Sequence, residues 1–282
     1  MKTYRTIPDL RDCISREKQA GKRIGLVPTM GFLHEGHLSL VDNIKAHCDF
    51  IITSIFINPK QFGPGEDLDK YPRNFDRDKS LLQDRGVDAI FFPKADEIYP
   101  EDYLTFIQVD KLGEILCGRS RPAHFQGVTT IVTKLFLITK CDVVAFGQKD
   151  YQQAIIIRRM VEDLNFDLEV LICPTVREED GLAMSSRNSY LQPEERKRAI
   201  CLVNAFQRAR RLYEFGELHT ARLRDEMVQA ILTIPEVRID YIEVVDAQTL
   251  EPIDKIERPA LLAGAIWLGK ARLIDNIIIE PK

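Results

Sequence analysis

The chain has 282 residues, 45% of them hydrophobic and 29% charged, which is the composition of an ordinary globular protein. Its 39 basic and 43 acidic residues leave a formal net charge of -4, which argues against a nucleic-acid binder with its basic excess or stripe. Six scattered cysteines with no Cys-x-x-Cys, a start without an apolar signal core, and no apolar run near the ~20 residues of a membrane helix predict a cytoplasmic protein with buried free thiols and no membrane partner.

In chain order, residues 7–20 read as an amphipathic helix that Gly21 ends. Residues 23–27 form a short buried strand. From Leu38 to about residue 46 the apolar residues Leu38, Val41, Ile44 and Cys48 fall close to helical spacing. Between strand and helix stand Gly31, Gly36 and two histidines, His34 and His37. A strand, a glycine-bearing turn and a helix start make a ready anion site, because unpaired N–H groups and the positive end of the helix dipole face the turn. Histidines at i and i+3 can share one side of the first turn and donate to phosphate oxygens. The same spacing also suits half a metal site or two surface histidines, but no neighbouring Cys or carboxylate cluster completes a zinc set.

Residues 50–57 are a near-continuous apolar run, as in a parallel strand covered on both faces. Asn58, Pro59, Lys60, Gln61 and Phe62 follow at its carboxyl end, where ligands bind in open parallel sheets, so Gln61 is either a substrate amide or a plain loop residue. An acidic loop spans residues 63–71. A helix is expected over 74–85, a strand over 89–92 and a further short strand over 105–109. Residues 118–127 are glycine-rich, basic and aromatic, and read as a loop, either solvated or a cationic flap near phosphates. A helix over 128–139 leads to a strand over 143–146, then to Gly147, Gln148, Lys149, Asp150, Tyr151, Gln152 and Gln153, and to a helix over 154–164. A lysine at this second strand–turn–helix junction can neutralise phosphate, and an aspartate can bind a ribose diol or a metal. A strand over 168–173 closes this half.

Alternating strands and helices to this point predict a parallel α/β sheet whose right-handed crossovers bring both junctions to one edge. Residues 174–181 look like a link. In Leu182-Ala183-Met184-Ser185-Ser186-Arg187-Asn188, two hydroxyls and an arginine suit a polyphosphate or a helix cap. One long helix over 193–215, a helix over 221–232 and strands over 239–245, 260–268 and 273–279 give an α+β tail. The expected fold is therefore α/β: a Rossmann-like parallel-sheet N-terminal domain over 1–175 and a smaller α+β C-terminal lid domain over 176–282.

The His-x-Gly-His turn resembles the signature of the nucleotidylyltransferase and class I aminoacyl-tRNA synthetase superfamily. Five motifs together resemble one family over essentially the full length, the pantothenate synthetases or pantoate–β-alanine ligases. They are Val-Pro-Thr-Met-Gly-Phe-Leu-His-Glu-Gly-His, Ser-Ile-Phe-Ile-Asn-Pro-Lys-Gln-Phe, His-Phe-Gln-Gly-Val, Phe-Gly-Gln-Lys-Asp-Tyr-Gln-Gln and Asp-Gly-Leu-Ala-Met-Ser-Ser-Arg-Asn. Lys60 stands where threonine is common and Gln148 where glutamate is common.

The resemblance implies a ligase that activates pantoate with ATP as pantoyl adenylate, then transfers the acyl group to β-alanine, releasing AMP and pyrophosphate. It implies ATP binding by Met30, Gly31, Phe32, Leu33, His34, Glu35, Gly36 and His37, with His37 the catalytic acid. Gly147, Gln148, Lys149 and Asp150 would bind ribose and phosphate, Val176 would meet adenine through its backbone, and Met184, Ser185, Ser186 and Arg187 would close over the phosphates. Gln61 and Gln153 would hold pantoate, Gln61 also touching β-alanine. Such a reaction needs no protein nucleophile, only positioning and charge stabilisation, which His34, His37, Lys149 and Arg187 suit. Magnesium is implied as a companion of ATP and a homodimer as the assembly, with no nucleic-acid partner.

Overall fold

The computed structural model describes residues 1–281. They divide into two compact units: residues 1–114, 121–148 and 153–174 in the first, residues 115–120, 149–152 and those from 175 onward in the second.

The first unit is built on a six-stranded parallel sheet. In chain order its elements are β1 (Lys2–Tyr4), α1 (Ile7–Gln19), β2 (Ile24–Thr29), α2 (Glu35–Ile44), β3 (Phe50–Ile55), α3 (Phe75–Asp84), β4 (Ala89–Phe91), α4 (His124–Thr139), β5 (Val143–Gly147), α5 (Tyr151–Asp163) and β6 (Glu169–Cys173). The strand order is β1-β4-β3-β2-β5-β6.

Successive strand residues point to opposite faces, and here both faces are covered, which is why the strands read as near-continuous apolar runs. Leu26, Ile52, Phe91 and Val144 pack on one face with Leu10, Ile14, Ile131, Leu135 and Met160 from the helices. Their chain neighbours Val27, Ile51, Ile90 and Val143 pack on the other face with Leu38, Val41, Ile44 and Leu82. Helix starts are set by side-chain caps: Thr6 accepts from Asp9 N–H, and Asn74 from Arg77 N–H. From β2 the chain crosses to β3 and β4 on one side and to β5 and β6 on the other, so the sheet changes direction between β2 and β5. The carboxyl ends of these two strands, each opening into a polar turn and a helix, form the switch-point crevice where ligands bind in such sheets.

The second unit pairs helices α6 (Pro193–Arg198), α7 (Cys201–Glu214) and α8 (Thr220–Leu232) with an antiparallel sheet of β7 (Val237–Asp246), β8 (Ala260–Leu268) and β9 (Ala271–Ile279), in the order β7-β8-β9. Phe206, Ala205, Ala209 and Tyr213 of α7 and Leu223, Met227 and Ile231 of α8 share a core with Ile242, Leu262 and Ile266 of the sheet.

Three expectations are corrected and one element is added. The strand over 105–109 does not form: Ile107 N–H donates to Thr130 Oγ1 at 3.0 Å and its carbonyl accepts from Thr129 Oγ1 at 2.6 Å, so helix side chains replace a strand partner. Helices α4 and α5 each begin about a turn earlier than apolar spacing suggests, taking in His124 and Gln153. The long helix over 193–215 breaks near Ala199 and Ile200, because α6 buries no residue while α7 turns its apolar stripe into the core. Finally, β1 is an additional edge strand, three residues long with only Tyr4 buried.

Candidate active site

The turn after β2 depends on backbone conformations that most residues avoid. Gly31 has φ +84°, and a Cβ there would stand 3.0 Å from Ile55 Cγ2 and 3.1 Å from Asp78 Oδ2. Phe32 is also left-handed, with φ 51°. What holds the turn is Asp78 of α3, only 1% exposed: its carboxylate accepts from Phe32 N–H at 2.7 Å and Leu33 N–H at 2.8 Å. Arg77 closes over the outside, donating to the Leu33 carbonyl at 2.8 Å with its guanidinium 5.6 Å from the Phe32 ring centre.

Burial pushes the Asp78 carboxyl above the usual carboxylate range, against the downward pull of the two N–H groups and Arg77. The folded chain therefore holds this proton more tightly than the unfolded chain. Stability contributed by Asp78 is present at low pH and is lost as pH rises from the unfolded to the folded value. Asp78→Ala leaves two backbone donors without their acceptor and is expected to lower unfolding free energy by about 2–4 kcal/mol. Denaturant titration checks the loss, and repeating it between pH 4 and 7 checks that the variant lacks the wild-type slope.

His34 caps α2. Its Nδ1 accepts from Gly36 N–H at 3.2 Å, and His37 Nδ1 accepts from His34 N–H at 3.3 Å, with ring centroids 4.1 Å apart. Both rings do the work that serine and glutamate do in a capping box. A nitrogen that accepts from a backbone N–H carries no proton, so in each neutral ring the proton sits on Nε2. The helix start thus presents two imidazole N–H donors beside the turn. Glu35, also in the first turn, is paired with Arg85 at 2.7 Å.

Gln61 lies in a short 3-10 turn, Pro59–Gln61, beyond β3. Asn58, 1% exposed, organises it: its Nδ2 donates to Gln61 Oε1 at 3.1 Å and to the Gly127 carbonyl at 3.0 Å, while its Oδ1 accepts from Tyr99 OH at 2.9 Å. Burial, reinforced by Tyr103, pushes the Tyr99 phenol well above its ordinary value, so it stays a donor. Gln61 Nε2 reaches Met30 Sδ at 3.0 Å, which joins the glutamine to the turn after β2. Gln153, half-buried, sits in the first turn of α5 past the carboxyl end of β5, and Gly147 and Gln148 immediately follow the apolar part of that strand.

In the second unit, Lys149 Nζ stands 3.6 Å from Asp150 Oδ2, and the Lys149 carbonyl accepts from Asn276 Nδ2 at 2.9 Å. Residues 176–188 fold back on themselves: Met184 N–H donates to the Val176 carbonyl at 3.0 Å, and Arg177 pairs with Ala183. Ser185 caps the following 3-10 turn, accepting from Arg187 N–H at 3.3 Å, and Ser186 is buried within it. Two arginines tie this segment down. Arg177 grips Asp275 through both nitrogens at 2.7 and 2.9 Å, and Arg196 bridges Glu178 and Asp180 at 2.6 and 2.7 Å.

Residues 118–127, read as a loop that is either solvated or a cationic flap, are largely helical. Residues Cys117–Ser120 are helical, α4 starts at His124, Arg121 is paired with Glu66 and Arg119 lies 3.9 Å from Glu243. Its charges are largely answered within the protein. Sequence reasoning passed over Asp78, which carries no motif of its own, and quoted Asn58 within a motif without giving it a role; the only hint to either is a polar residue on the apolar side of a helix or at a strand end.

Fold and turn together define a Rossmann-like α/β protein of the His-x-Gly-His class. The family model for pantoate-beta-alanine ligase matches residues 2–278, and the chain belongs to that family of ligases. It is 51% identical to the pantothenate synthetase of Thermotoga neapolitana over 279 residues, covering 99% of this chain and all of that one, and 52% identical over 280 residues to that of Moorella thermoacetica, covering 99% of each. The crystal structure of pantothenate synthetase from Thermus thermophilus superposes with a TM-score of 0.95 at 45% identity over the whole of both chains. That of the Francisella tularensis ligase, solved with "Beta-gamma ATP and Beta-alanine", gives 0.77 at 32% identity over 99% of this chain and 97% of that one.

Proposed function

We propose that the chain condenses pantoate with β-alanine to pantothenate in two steps. Pantoate carboxylate attacks the α-phosphorus of ATP and displaces pyrophosphate, and the β-alanine amine then displaces AMP from pantoyl adenylate. The observation that carries this reading is the pair of capping histidines, whose Nδ1 atoms are both acceptors and whose protons therefore lie on Nε2. Donors so held stabilise charge as it develops on phosphate without reorganising in the transition state.

In this reading Met30, Gly31, Phe32, Leu33, His34, Glu35, Gly36 and His37 bind ATP and His37 is the catalytic acid. Gly147, Gln148, Lys149 and Asp150 serve ribose and phosphate, Val176 serves adenine, and Met184, Ser185, Ser186 and Arg187 serve the phosphates. The nucleotide complex of the Francisella relative supports ATP as the cosubstrate. Magnesium arrives with ATP, since Mg²⁺ is commonly held by phosphates and waters with one or two carboxylates. When bound, the ion neutralises phosphate charge.

The family resemblance supports a homodimer, a cytoplasmic setting and a division into a nucleotide- and pantoate-binding domain over 1–175 and a lid over 176–282. No helix among the described residues is long and apolar enough to cross a membrane. Pantoate-dependent exchange of labelled pyrophosphate into ATP, with β-alanine withheld, tests the first step; exchange that ignores pantoate would refute it.

Gln61 and Gln153 read the two hydroxyls of pantoate with uncharged amides. A cation there would stabilise the ground-state carboxylate, which does not help its attack. Gln61→Ala and Gln153→Ala are each expected to weaken pantoate use by about 1–3 kcal/mol, the scale of one hydrogen bond lost from a buried pocket. KM for pantoate should rise accordingly while Kd for ATP changes little; equal weakening of both would move these glutamines out of the pantoate site.

A further inference from the structure

The basic, aromatic segment at the start of α4 is given no role in the reaction proposed above, yet Arg121 and His124 converge on one backbone atom of Gln61. Arg121, with 14% of its side chain exposed, meets Glu66 through Nε to Oε1 at 2.8 Å and Nη2 to Oε2 at 2.5 Å. Its remaining nitrogen, Nη1, stands 3.1 Å from His124 Nε2. A guanidinium donates and never accepts, so Nε2 is the accepting nitrogen and the ring proton belongs on Nδ1. Nδ1 lies 2.8 Å from the Gln61 carbonyl oxygen, which can only accept, and Arg121 Nη2 reaches the same oxygen at 3.3 Å.

We propose that Glu66, Arg121 and His124 are positioning residues that fix the Gln61 backbone and so set how tightly pantoate is held, a role that rests on Gln61 being a pantoate contact. The side-chain end of Gln61 is held by Asn58 and Met30, and this relay pins the other end. Burial raises the Glu66 carboxyl, but the Arg121 hydrogen bonds and charge outweigh it and hold the group below the usual carboxylate range. Glu66 therefore stays ionised and keeps Arg121 turned toward the ring. The ring is neutral in this arrangement because its Nε2 faces a donor, Arg121 Nη1, and carries no proton there. Glu66 itself lies in the acidic loop, its N–H donating to the Gly63 carbonyl at 3.1 Å, so the relay ties that loop to the substrate glutamine.

The tautomer gives a test independent of activity. Nitrogen-15 NMR of the ligand-free wild-type chain, with His124 assigned by its absence in His124→Asn, should show this ring neutral and protonated on Nδ1, the minor form of free imidazole. A ring protonated on Nε2, or an imidazolium at neutral pH, would overturn the relay. Kinetics supply the second arm. In His124→Asn the amide falls near the Nδ1 position and can still donate to Gln61; in His124→Gln it falls near Nε2 and cannot. His124→Gln should raise KM for pantoate roughly tenfold and Glu66→Gln roughly threefold, with KM for ATP within about twofold of wild type, and His124→Asn should recover most of the loss. Equal losses in His124→Asn and His124→Gln, or pantoate and ATP constants rising together, would overturn the positioning role. A wild-type chain that does not use pantoate would overturn the recognition step and the proposed function with it, whatever the tautomer.

Discussion

Replacing His37 by alanine is expected to slow formation of pantoyl adenylate by roughly 10²-fold or more, the scale of losing one donor aimed at transition-state charge, while the chain keeps its fold. The two contributions of this ring can be separated by size. Its Nδ1 is half of a reciprocal cap, accepting from His34 N–H at 3.3 Å, and losing a cap costs about 1 kcal/mol of stability. Its Nε2–H is the group assigned to catalysis. His37→Asn keeps an acceptor near the Nδ1 position and offers nothing at Nε2, so it should recover stability without recovering rate. Single-turnover adenylation with thermal unfolding of both variants checks this. Adenylation near the wild-type rate in His37→Ala would remove the ring from the chemistry.

Gly127→Ala is expected to be the most damaging single-methyl change in the first unit. Helix propensity alone predicts the opposite, since alanine in place of glycine inside a helix stabilises by about 1 kcal/mol. At this position a Cβ would overlap the Lys60 carbonyl oxygen and stand 2.6 Å from Gln61 N. Both neighbours are backbone, so no rotamer change relieves the overlap. Either α4 or the turn Pro59–Gln61 must move, and the Asn58 bond to the Gly127 carbonyl stretches with it. Overpacking of this kind costs about 1–3 kcal/mol, and the disturbed Asn58 bond adds to it, so a net loss of about 2–4 kcal/mol is expected. KM for pantoate should rise roughly tenfold or more through Gln61, the scale of one disturbed hydrogen bond. Chemical denaturation decides the sign: a variant more stable than wild type would show that α4 and the turn are not in this contact.

These two sites also mark how far the sequence could be read. The sheet was legible because β3, Phe-Ile-Ile-Thr-Ser-Ile, is buried along its whole length, and burial on both faces leaves a near-continuous apolar run. The strand–turn–helix around His34 and His37 was legible because glycines and apolar spacing bracket it. Asp78 was not: it lies 45 residues after Leu33 in an amphipathic helix, and nothing local distinguishes a buried acceptor from a surface aspartate. The basic segment 118–127 misled for the same reason. Its charges are visible in the sequence, but Glu66, which answers Arg121 from 55 residues away, is not marked as a partner. The false strand at 105–109 shows that β-propensity is satisfied only when another strand is at hand; here Thr129 and Thr130 of a helix supply the hydrogen bonds. The break at Ala199 escaped because helical period and propensity run through it, and only packing separates α6 from α7.

The central claim is that one chain couples ATP cleavage to joining two specific acids through an adenylate. Release of AMP from the purified wild-type chain, measured with ATP, pantoate and β-alanine each omitted in turn, tests it most directly. Sustained AMP release that requires all three, with pantothenate formed in equal amount, is the predicted result. AMP release indifferent to β-alanine would contradict it, and a nucleotide-linked product that accumulates as the end point would make the chain an adenylyltransferase instead.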